Sequence, residues 1–296
     1  SFAERAVLEV KAARYTMDHA QARMMARAAV HRGMLELQHK AINDYVEAYE
    51  NPLIQRGATH LGQAWAERVD LLANSQYFEN AGDYENDTVF YEIEDLAARI
   101  DINRADLALL SSIEQLDAGV RRRIDALRMR GAQSRTDTVL FHTLEELRDV
   151  EGMTDAAWNG EDGEPGVRDL FTVWGDANTE GRINVNTAPL SVLATIPGIG
   201  DSKARAILLY RGGDPMTGTG GTQPFNSLEE LAEATELGVD ELERYCMLSS
   251  TYFMIRGVAT RQGGRVRAAC TAVVHLDGSQ AILKSWHEDL LGGQIQ

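Results

Sequence analysis

The sequence predicts an α+β protein in which a long N-terminal helix and an antiparallel sheet carry a large inserted α-domain. Three observations support this prediction: a helical apolar period at the start, strand-like alternation at the end, and an internal repeat of helical segments between them. We predict the helix and a first β-hairpin within residues 1–103, the inserted α-domain at 104–245, and closing antiparallel strands at 246–296.

The N-terminal segment contains no proline before Pro52 and a single glycine, Gly33, so we predict one helix that ends near residue 51. Its apolar side chains recur at steps of three and four, which is the period of one helical face. This apolar stripe comprises Val7, Val10, Ala13, Met17, Ala20, Met24 and Ala28. Two interpretations are open. Either the stripe packs against the chain's own core, or its upper turns bind a partner, and the contact residues are then Val7, Val10, Met17, Ala20 and Met24.

Strand patterns occur on both sides of the helical middle. Residues 88–103, TVFYEIEDLAARIDIN, have two β-prone arms around an acidic turn and predict a hairpin. Near the end of the chain, every second residue from Val266 to Leu276 is small or apolar, which is typical of a half-buried strand. Together with the segments on either side of it, this pattern predicts an antiparallel meander.

The chain has two cysteines, Cys246 and Cys270, and we expect both to be free thiols. If Gly263 is the centre of its turn, Cys246 lies about ten residues, or roughly 33 Å, beyond the position that faces Cys270. A disulfide requires Cα atoms within about 7 Å. The sequence has no CxxC pair and no Cys/His cluster, so a structural zinc site is not expected.

The middle of the chain contains a repeat. ARIDINRADLALLSSI at 98–113 aligns with GRINVNTAPLSVLATI at 181–196, and FHTLEEL at 141–147 aligns with FNSLEEL at 225–231. We therefore predict two related helical subdomains, repeat 1 at about 98–178 and repeat 2 at about 181–245. The last helix of each copy is predicted to begin with a capping box, which pairs Thr143 with Glu146 and Ser227 with Glu230.

The tetrapeptide PGIG at 197–200 is typical of a helix-hairpin-helix turn that binds DNA phosphates. In such a turn Gly198 and Gly200 let backbone amides approach the phosphate, and Lys203 and Arg205 would add positive charge. The net charge of −16 opposes this interpretation, as do the seven acidic residues between 229 and 243. The first copy also lacks PGIG. DNA binding therefore remains the alternative function.

No pattern predicts an enzyme. The sequence contains no GxSxG, HExxH or P-loop, and Lys203 is one residue away from the position of the nucleophilic lysine in helix-hairpin-helix glycosylases. The glycine-rich segment 211–225 lacks GK[ST] and is expected to be a flexible connector. No apolar run reaches the roughly 18 residues that span a bilayer, so the chain is expected to be water-soluble.

Two acidic loops offer oxygen ligands at alternate positions, which suits a hard cation such as Ca²⁺. Neither loop has the full EF-hand pattern, and the alternative is that both are turns that face water. The candidate ligands are Asp176, Asn178 and Glu180 in one loop and Asp83, Glu85 and Asp87 in the other.

The order of these parts, with NVNTAPLSVLATIPGI at 184–199 and PFNSLEEL at 224–231, resembles the minor pseudopilin K family of bacterial type II secretion systems. The resemblance implies a type IV pilin-like fold whose inserted α-domain consists of helix-hairpin-helix or SAM-like subdomains. It also implies a non-enzymatic protein at the pseudopilus tip, bound to minor pseudopilins I and J, and an association with calcium. An apolar segment before Ser1 would anchor the protein, as a single-pass protein, in the bacterial inner membrane, with this part in the periplasm. The helical pattern that begins abruptly at Ser1 fits that expectation.

Overall fold

The computed structural model describes residues 2–50, 57–73, 86–133 and 141–289. In chain order its helices and strands are α1 (Phe2–Glu50), β1 (Val69–Asp70), β2 (Thr88–Asp95), β3 (Ile100–Asp101), α2 (Leu107–Ser111), α3 (Ala118–Gln133), α4 (Asp155–Asn159), α5 (Val167–Leu170), β4 (Phe171–Thr172), β5 (Ile183–Asn184), α6 (Leu190–Thr195), α7 (Gly200–Tyr210), α8 (Leu228–Thr235), α9 (Val239–Glu243), β6 (Cys246–Met247), β7 (Tyr252–Arg261), β8 (Val266–Asp277) and β9 (Gln280–Asp289). Short 3₁₀ helices occur at Ala64–Ala66, Leu96–Ala98, Leu144–Leu147 and Ala177–Thr179.

The chain forms two compact units. The first comprises residues 1–43, 64–94 and 253–296, and the second comprises 44–63 and 95–252. The second unit is therefore inserted into the first and contains the whole of the predicted α-domain. It also includes the strand-and-turn segments on either side of that domain.

The sheet of the first unit has the strand order β1-β2-β7-β8-β9. β8 and β9 are antiparallel from Ala269 opposite Asp289 to Asp277 opposite Gln280, with a bulge between Val273 and Val274. The four-residue turn between β7 and β8 requires these neighbours to be antiparallel as well. The predicted closing meander is thus confirmed.

The predicted hairpin at 88–103 is wrong. β2 pairs with β1, where Val69 lies opposite Tyr91, and has β7 as its other neighbour. After β2 the chain turns because the carboxylate of Asp95 accepts a hydrogen bond from the Ala97 backbone at 2.9 Å and caps the 3₁₀ helix that follows. The second arm then becomes β3, which pairs in parallel with β4 in the second unit.

Helix α1 lies against the sheet through small and aliphatic side chains. The buried residues of this face are Ala22, Ala26, Ala29, Val30 and Leu37. Two glycines permit the close approach: a Cβ on Gly257 of β7 would lie 2.3 Å from the Ala26 carbonyl oxygen, and one on Gly33 would lie 2.7 Å from Ile255. The helix therefore has one face that is committed to the core of its own unit.

The internal repeat is present in the second unit as two copies of one hydrogen-bonded frame. In the first copy, the Asn103 side chain accepts from the Phe141 amide at 2.8 Å and donates to the Phe141 carbonyl at 3.0 Å. In the second copy, Asn186 makes the same two bonds with Phe225, at the same distances. Each frame adjoins a short parallel strand pair, β3 with β4 and β5 with β6.

The capping boxes are only partly formed. Ser227 accepts from the Glu230 amide at 3.2 Å and caps α8, but the Glu230 carboxylate binds the backbone of Asn226 instead of Ser227. Thr143 makes no side-chain cap bond, and the segment after it is a 3₁₀ helix. The first copy therefore has a four-residue 3₁₀ helix where the second copy has the eight-residue helix α8.

Candidate functional site

The apolar stripe of α1 is largely exposed. Val7, Val10, Met17 and Met24 are 53%, 54%, 61% and 66% exposed, and Ala20 is half-buried. The interpretation in which this stripe packs against the chain's own core therefore does not hold. At about 100° per residue, the exposed stripe and the buried face lie on opposite sides of the helix.

A polar cluster fixes the point at which α1 leaves the sheet. The Asp18 carboxylate accepts from the Arg261 guanidinium at 3.1 Å and also from the Gln262 side-chain amide. The same guanidinium donates to Asp87 at 2.9 Å. From Glu4 to Met17 no side chain is buried, and Leu8 and Tyr15 are also more than half exposed.

The helix-hairpin-helix unit has the predicted backbone. Gly198 and Gly200 both have positive φ, at 84° and 60°, a conformation that favours glycine, and α7 begins at Gly200. Arg205 donates to the Pro215 carbonyl at 3.0 Å, and Lys203 lies half-buried on the same helix. Gly200 and the two basic residues therefore all lie on helix α7, directly after the turn.

The surroundings of this turn are acidic. One carboxylate oxygen of Glu241, on α9, lies 3.2 Å from the position that a Cβ on Gly198 would occupy. A phosphate that approached Gly198 from this side would meet that negative charge. The sequence showed that the helix is acidic, but it did not indicate which carboxylate reaches the turn.

Sequence reasoning missed a buried carboxylate at the start of the inserted unit. Asp95 is 3% exposed, and its Oδ2 atom accepts from Ser250 and Thr187 at 2.6 Å and from Asn184 at 3.0 Å. Burial raises the pKa of this carboxyl, and the hydrogen bonds oppose the shift. Because these partners lie 89 to 155 residues from Asp95 in the sequence, no local pattern could have indicated the cluster.

The glycine-rich segment 211–225 is an ordered loop and not the flexible connector expected. Arg211 is 1% exposed, and its guanidinium donates to the carbonyls of Val185, Ala188 and Gly220 at 2.8–3.0 Å. Burial lowers the pKa of this guanidinium to about 10. The loop therefore folds around the Arg211 side chain. Its glycines let the loop backbone approach this residue, since a Cβ on Gly221 would lie 2.6 Å from the Arg211 Cβ.

The acidic loops are only partly within the described residues, since Asp83 and Glu85 lie outside them. Both oxygens of Asp87 accept hydrogen bonds, from the Arg261 side chain and from the Gln262 backbone, each at 2.9 Å. In the other loop, Asp176 caps a 3₁₀ helix by accepting from the Asn178 amide. Glu180, which ends that helix, has a positive φ of 51°.

No three or more acidic, histidine or cysteine side chains within the described part of the chain form a group that could hold a metal ion. Calcium also binds amide oxygens, of the kind that Asn178 carries, and backbone carbonyl oxygens, which do not belong to these residue types. Calcium binding at either loop therefore stays a prediction. Nor does any helix among the described residues have the length and apolar character needed to cross a membrane.

The two cysteines are free, as predicted, and both are buried. Burial raises the pKa of Cys246 to about 12 and that of Cys270 to about 11. Thiols with such pKa values are almost entirely protonated at neutral pH and are poor nucleophiles. Cys270 therefore fills the core, in line with the sequence interpretation.

Comparisons with known proteins agree with the fold. Residues 178–245 match the helix-hairpin-helix motif family. No curated protein sequence matches the chain. Among solved structures, the chain is similar to a chain of the GspK-GspI-GspJ complex from the enterotoxigenic Escherichia coli Type 2 Secretion System. That match has 13% sequence identity and a TM-score of 0.54, and it covers 88% of this chain and 96% of the other. The predicted pilin-like α+β fold with an inserted α-domain is thus confirmed.

Proposed function

We propose that this chain is a minor pseudopilin of a type II secretion system, which binds minor pseudopilins I and J and caps the pseudopilus tip. One observation carries the proposal: α1 has an exposed apolar stripe on the side opposite the face that its own sheet buries. The likeness to a chain of the GspK-GspI-GspJ complex supports the same assignment, since it spans nearly the whole of both chains.

The mechanism follows from the two faces of α1. The buried face fixes the helix on its sheet, and the Asp18–Arg261 ion pair holds it where it leaves that sheet. The exposed stripe of α1 is then accessible to a partner helix. Burying one Val or Met side chain against a partner contributes about 1.5–3 kcal/mol, before the costs of association. Methionines at positions 17 and 24 can adapt to a neighbouring surface because their side chains are flexible and polarisable.

In this role the chain needs no catalytic group. The helix-hairpin-helix unit serves as a compact helical element in the second unit, with Arg211 and the two asparagine frames as its internal braces. The proposal also includes the location that the resemblance implies, which is the bacterial inner membrane with residues 1–296 in the periplasm. Fractionation of cells that express the protein tests this location, and we expect it in the inner-membrane fraction.

DNA binding is the competing function, and the match of residues 178–245 to the helix-hairpin-helix motif is its basis. The carboxylate of Glu241 beside Gly198 and the net charge of −16 argue against it. A DNA-binding chain would show log K falling linearly with log salt, by nearly one unit for each phosphate contacted. We expect no binding to a short duplex even at low salt.

The proposal is tested by light scattering on a size-exclusion column, after this chain is mixed with the soluble domains of minor pseudopilins I and J. We expect a one-to-one-to-one species that is weakened when Met17 and Met24 are replaced by Asp. Both side chains are exposed, so the fold should survive these replacements. Three separate peaks at tens of micromolar would refute the proposal.

A further inference from the structure

Helix α3 is basic, although the protein as a whole is acidic. Its 16 residues contain five arginines and one carboxylate, that of Asp125, whereas the chain has a net charge of −16. The corresponding helix of the other copy, α7, has two basic residues and one acidic residue. The positive charge of the repeat is therefore concentrated in the first copy, which lacks PGIG.

The outer side of α3 combines a guanidinium group with an apolar side chain. Val120 and Ile124 are buried and define the inner side of the helix. At about 100° per residue, Arg122 and Met129 lie on the opposite side, within about 20° of each other and two turns apart. Both side chains are exposed, Met129 by 58%. None of the ion pairs within the described residues involves Arg122, so its charge is available to a partner.

Further arginines border this outer side. Arg121 and Arg128 lie on one border and Arg123 on the other. Arg121 donates to the Ser111 carbonyl, and the Nη1 atom of Arg128 is buried with no hydrogen-bond partner among the described residues. Arg123 pairs with Glu151 at 3.3 Å, but both side chains are largely exposed, and such pairs contribute little. The borders therefore add positive charge to the centre.

The carboxylates around α3 have partners of their own. Asp101 and Asp106, which attract Arg128 electrostatically, accept hydrogen bonds from Arg104 at 2.8 Å and from Arg244 at 2.7 Å. Asp117 accepts from two backbone amides in the first turn of α3. These carboxylates are therefore engaged away from the outer side, which keeps a surplus of positive charge.

We propose that the outer side of α3 binds a short acidic segment of another protein, in which an apolar side chain lies between carboxylates. Charge complementarity selects the carboxylates, and a guanidinium group can bind one of them through two parallel hydrogen bonds. Met129 offers the apolar residue a flexible and polarisable contact. The inference goes beyond the proposed function, because α3 belongs to the inserted unit and the assembly surface proposed above is on α1.

Three features favour a protein segment over a nucleic acid. The amides at the start of α3, where a helix-hairpin-helix would bind a phosphate, already bind Asp117. The net charge of −16 repels a long polyanion, whereas a short segment experiences mainly the charges within a Debye length of about 8–10 Å. A phosphate backbone also has no apolar group to pack on Met129.

The test uses two labelled synthetic peptides that share a central leucine, one with glutamates on either side of it and the other with glutamines. Binding to the whole chain is measured by fluorescence anisotropy at low salt, with a short labelled DNA duplex as a third probe. We expect the glutamate peptide to bind at least ten times more tightly than either other probe. Equal binding of the two peptides, no binding of either at about 100 μM, or tighter binding of the duplex would overturn the inference.

Matched variants locate the binding surface. Arg122→Glu and Met129→Asp should each weaken binding of the glutamate peptide about tenfold, and both positions are exposed, so the fold should survive. Arg205→Glu is the control for the charge, since Arg205 lies nine residues beyond the aligned segment of the second copy, as Arg122 does in the first. Met216→Asp is the control for the apolar contact, at a methionine that is 89% exposed. Controls that weaken binding as much as their counterparts would overturn the inference.

The outcome is separable from the proposed function. Minor pseudopilins I and J are absent from the peptide assay, and the variants of α3 leave the exposed stripe of α1 unchanged. Arg122→Glu should therefore lose the glutamate peptide and still form the one-to-one-to-one species on the size-exclusion column.

Discussion

Asn103 provides the sharpest test of the repeated frame in the second unit. Its side chain makes three buried hydrogen bonds: it accepts from the Phe141 amide at 2.8 Å and donates to the carbonyls of Phe141 and Val173 at 3.0 Å. Asn103→Ala removes all three and leaves buried backbone groups without partners. Each orphaned buried group costs about 1–3 kcal/mol, so three of them cost at least about 3 kcal/mol, and we expect a loss of about 3–5 kcal/mol because the surrounding backbone relaxes. In a unit of this size the loss lowers the melting temperature by roughly 6–20 °C.

The assay is differential scanning calorimetry of the whole chain. Asn186→Ala should cost less, about 2–4 kcal/mol, because Asn186 makes two such bonds with Phe225. Asn226→Ala is the control, since this neighbouring side chain is exposed, and its effect should stay within about 0.5 kcal/mol. If Asn103→Ala melted within 2 °C of the wild type, the frame would not be a structural brace and the reasoning would be refuted.

Three further predictions concern thiols, pH and calcium. Because burial raises the pKa of both thiols, Cys246 and Cys270 should not react with a thiol reagent at pH 8 until the protein is denatured, and rapid labelling of the native chain would contradict this. The hydrogen bond from Arg244 lowers the pKa of Asp106, so this carboxylate stabilises the fold above about pH 4 and ceases to do so as the pH falls through its lowered pKa. Melting curves of the wild type should therefore lose more between pH 5 and pH 2 than those of Asp106→Asn, which keeps the helix cap, and equal losses would exclude the ion pair as a cause. Millimolar calcium should raise the melting temperature, less so in Asp176→Ala if that loop is the site, and no shift in the wild type would exclude calcium binding.

The sequence predicted what depends on local pattern. The repeat was visible because the segments around Asn103 and Asn186 have similar sequences, although each asparagine binds a phenylalanine that lies 38 or 39 residues away. The burial of Cys270 was visible because strand alternation indicates which side chains face the core. The hairpin failed because Asp95, which looked like part of an acidic turn, instead caps a 3₁₀ helix and directs the chain into the second unit. Strand propensity cannot distinguish these outcomes, since they depend on partners far away in the sequence.

The candidate site was predicted in part for the same reason. Helical spacing identified Val10, Met17 and Met24, but only the structure showed that the stripe faces away from the chain's own sheet. The lower positions Leu35 and Ile42 continue the stripe at seven-residue spacing from Ala28, a signal that the sequence contained. This continuation is hard to recognise in the sequence because the apolar residues of the buried face lie between the same positions of the helix. Glu241 near Gly198 could not have been predicted, since that approach depends on how α9 packs.

The most direct test of the central claim is site-specific photo-crosslinking from α1 in a mixture with the soluble domains of minor pseudopilins I and J. The native thiols are buried, so a maleimide-benzophenone label will attach to a cysteine introduced at an exposed position. Met24→Cys places the label on the exposed stripe, and Tyr15→Cys places it on the opposite side of the helix at a residue that is also 57% exposed. We expect crosslinks to a partner from position 24 and few from position 15. Crosslinks from position 15 alone, or from neither, would contradict the claim that the exposed stripe is the assembly surface.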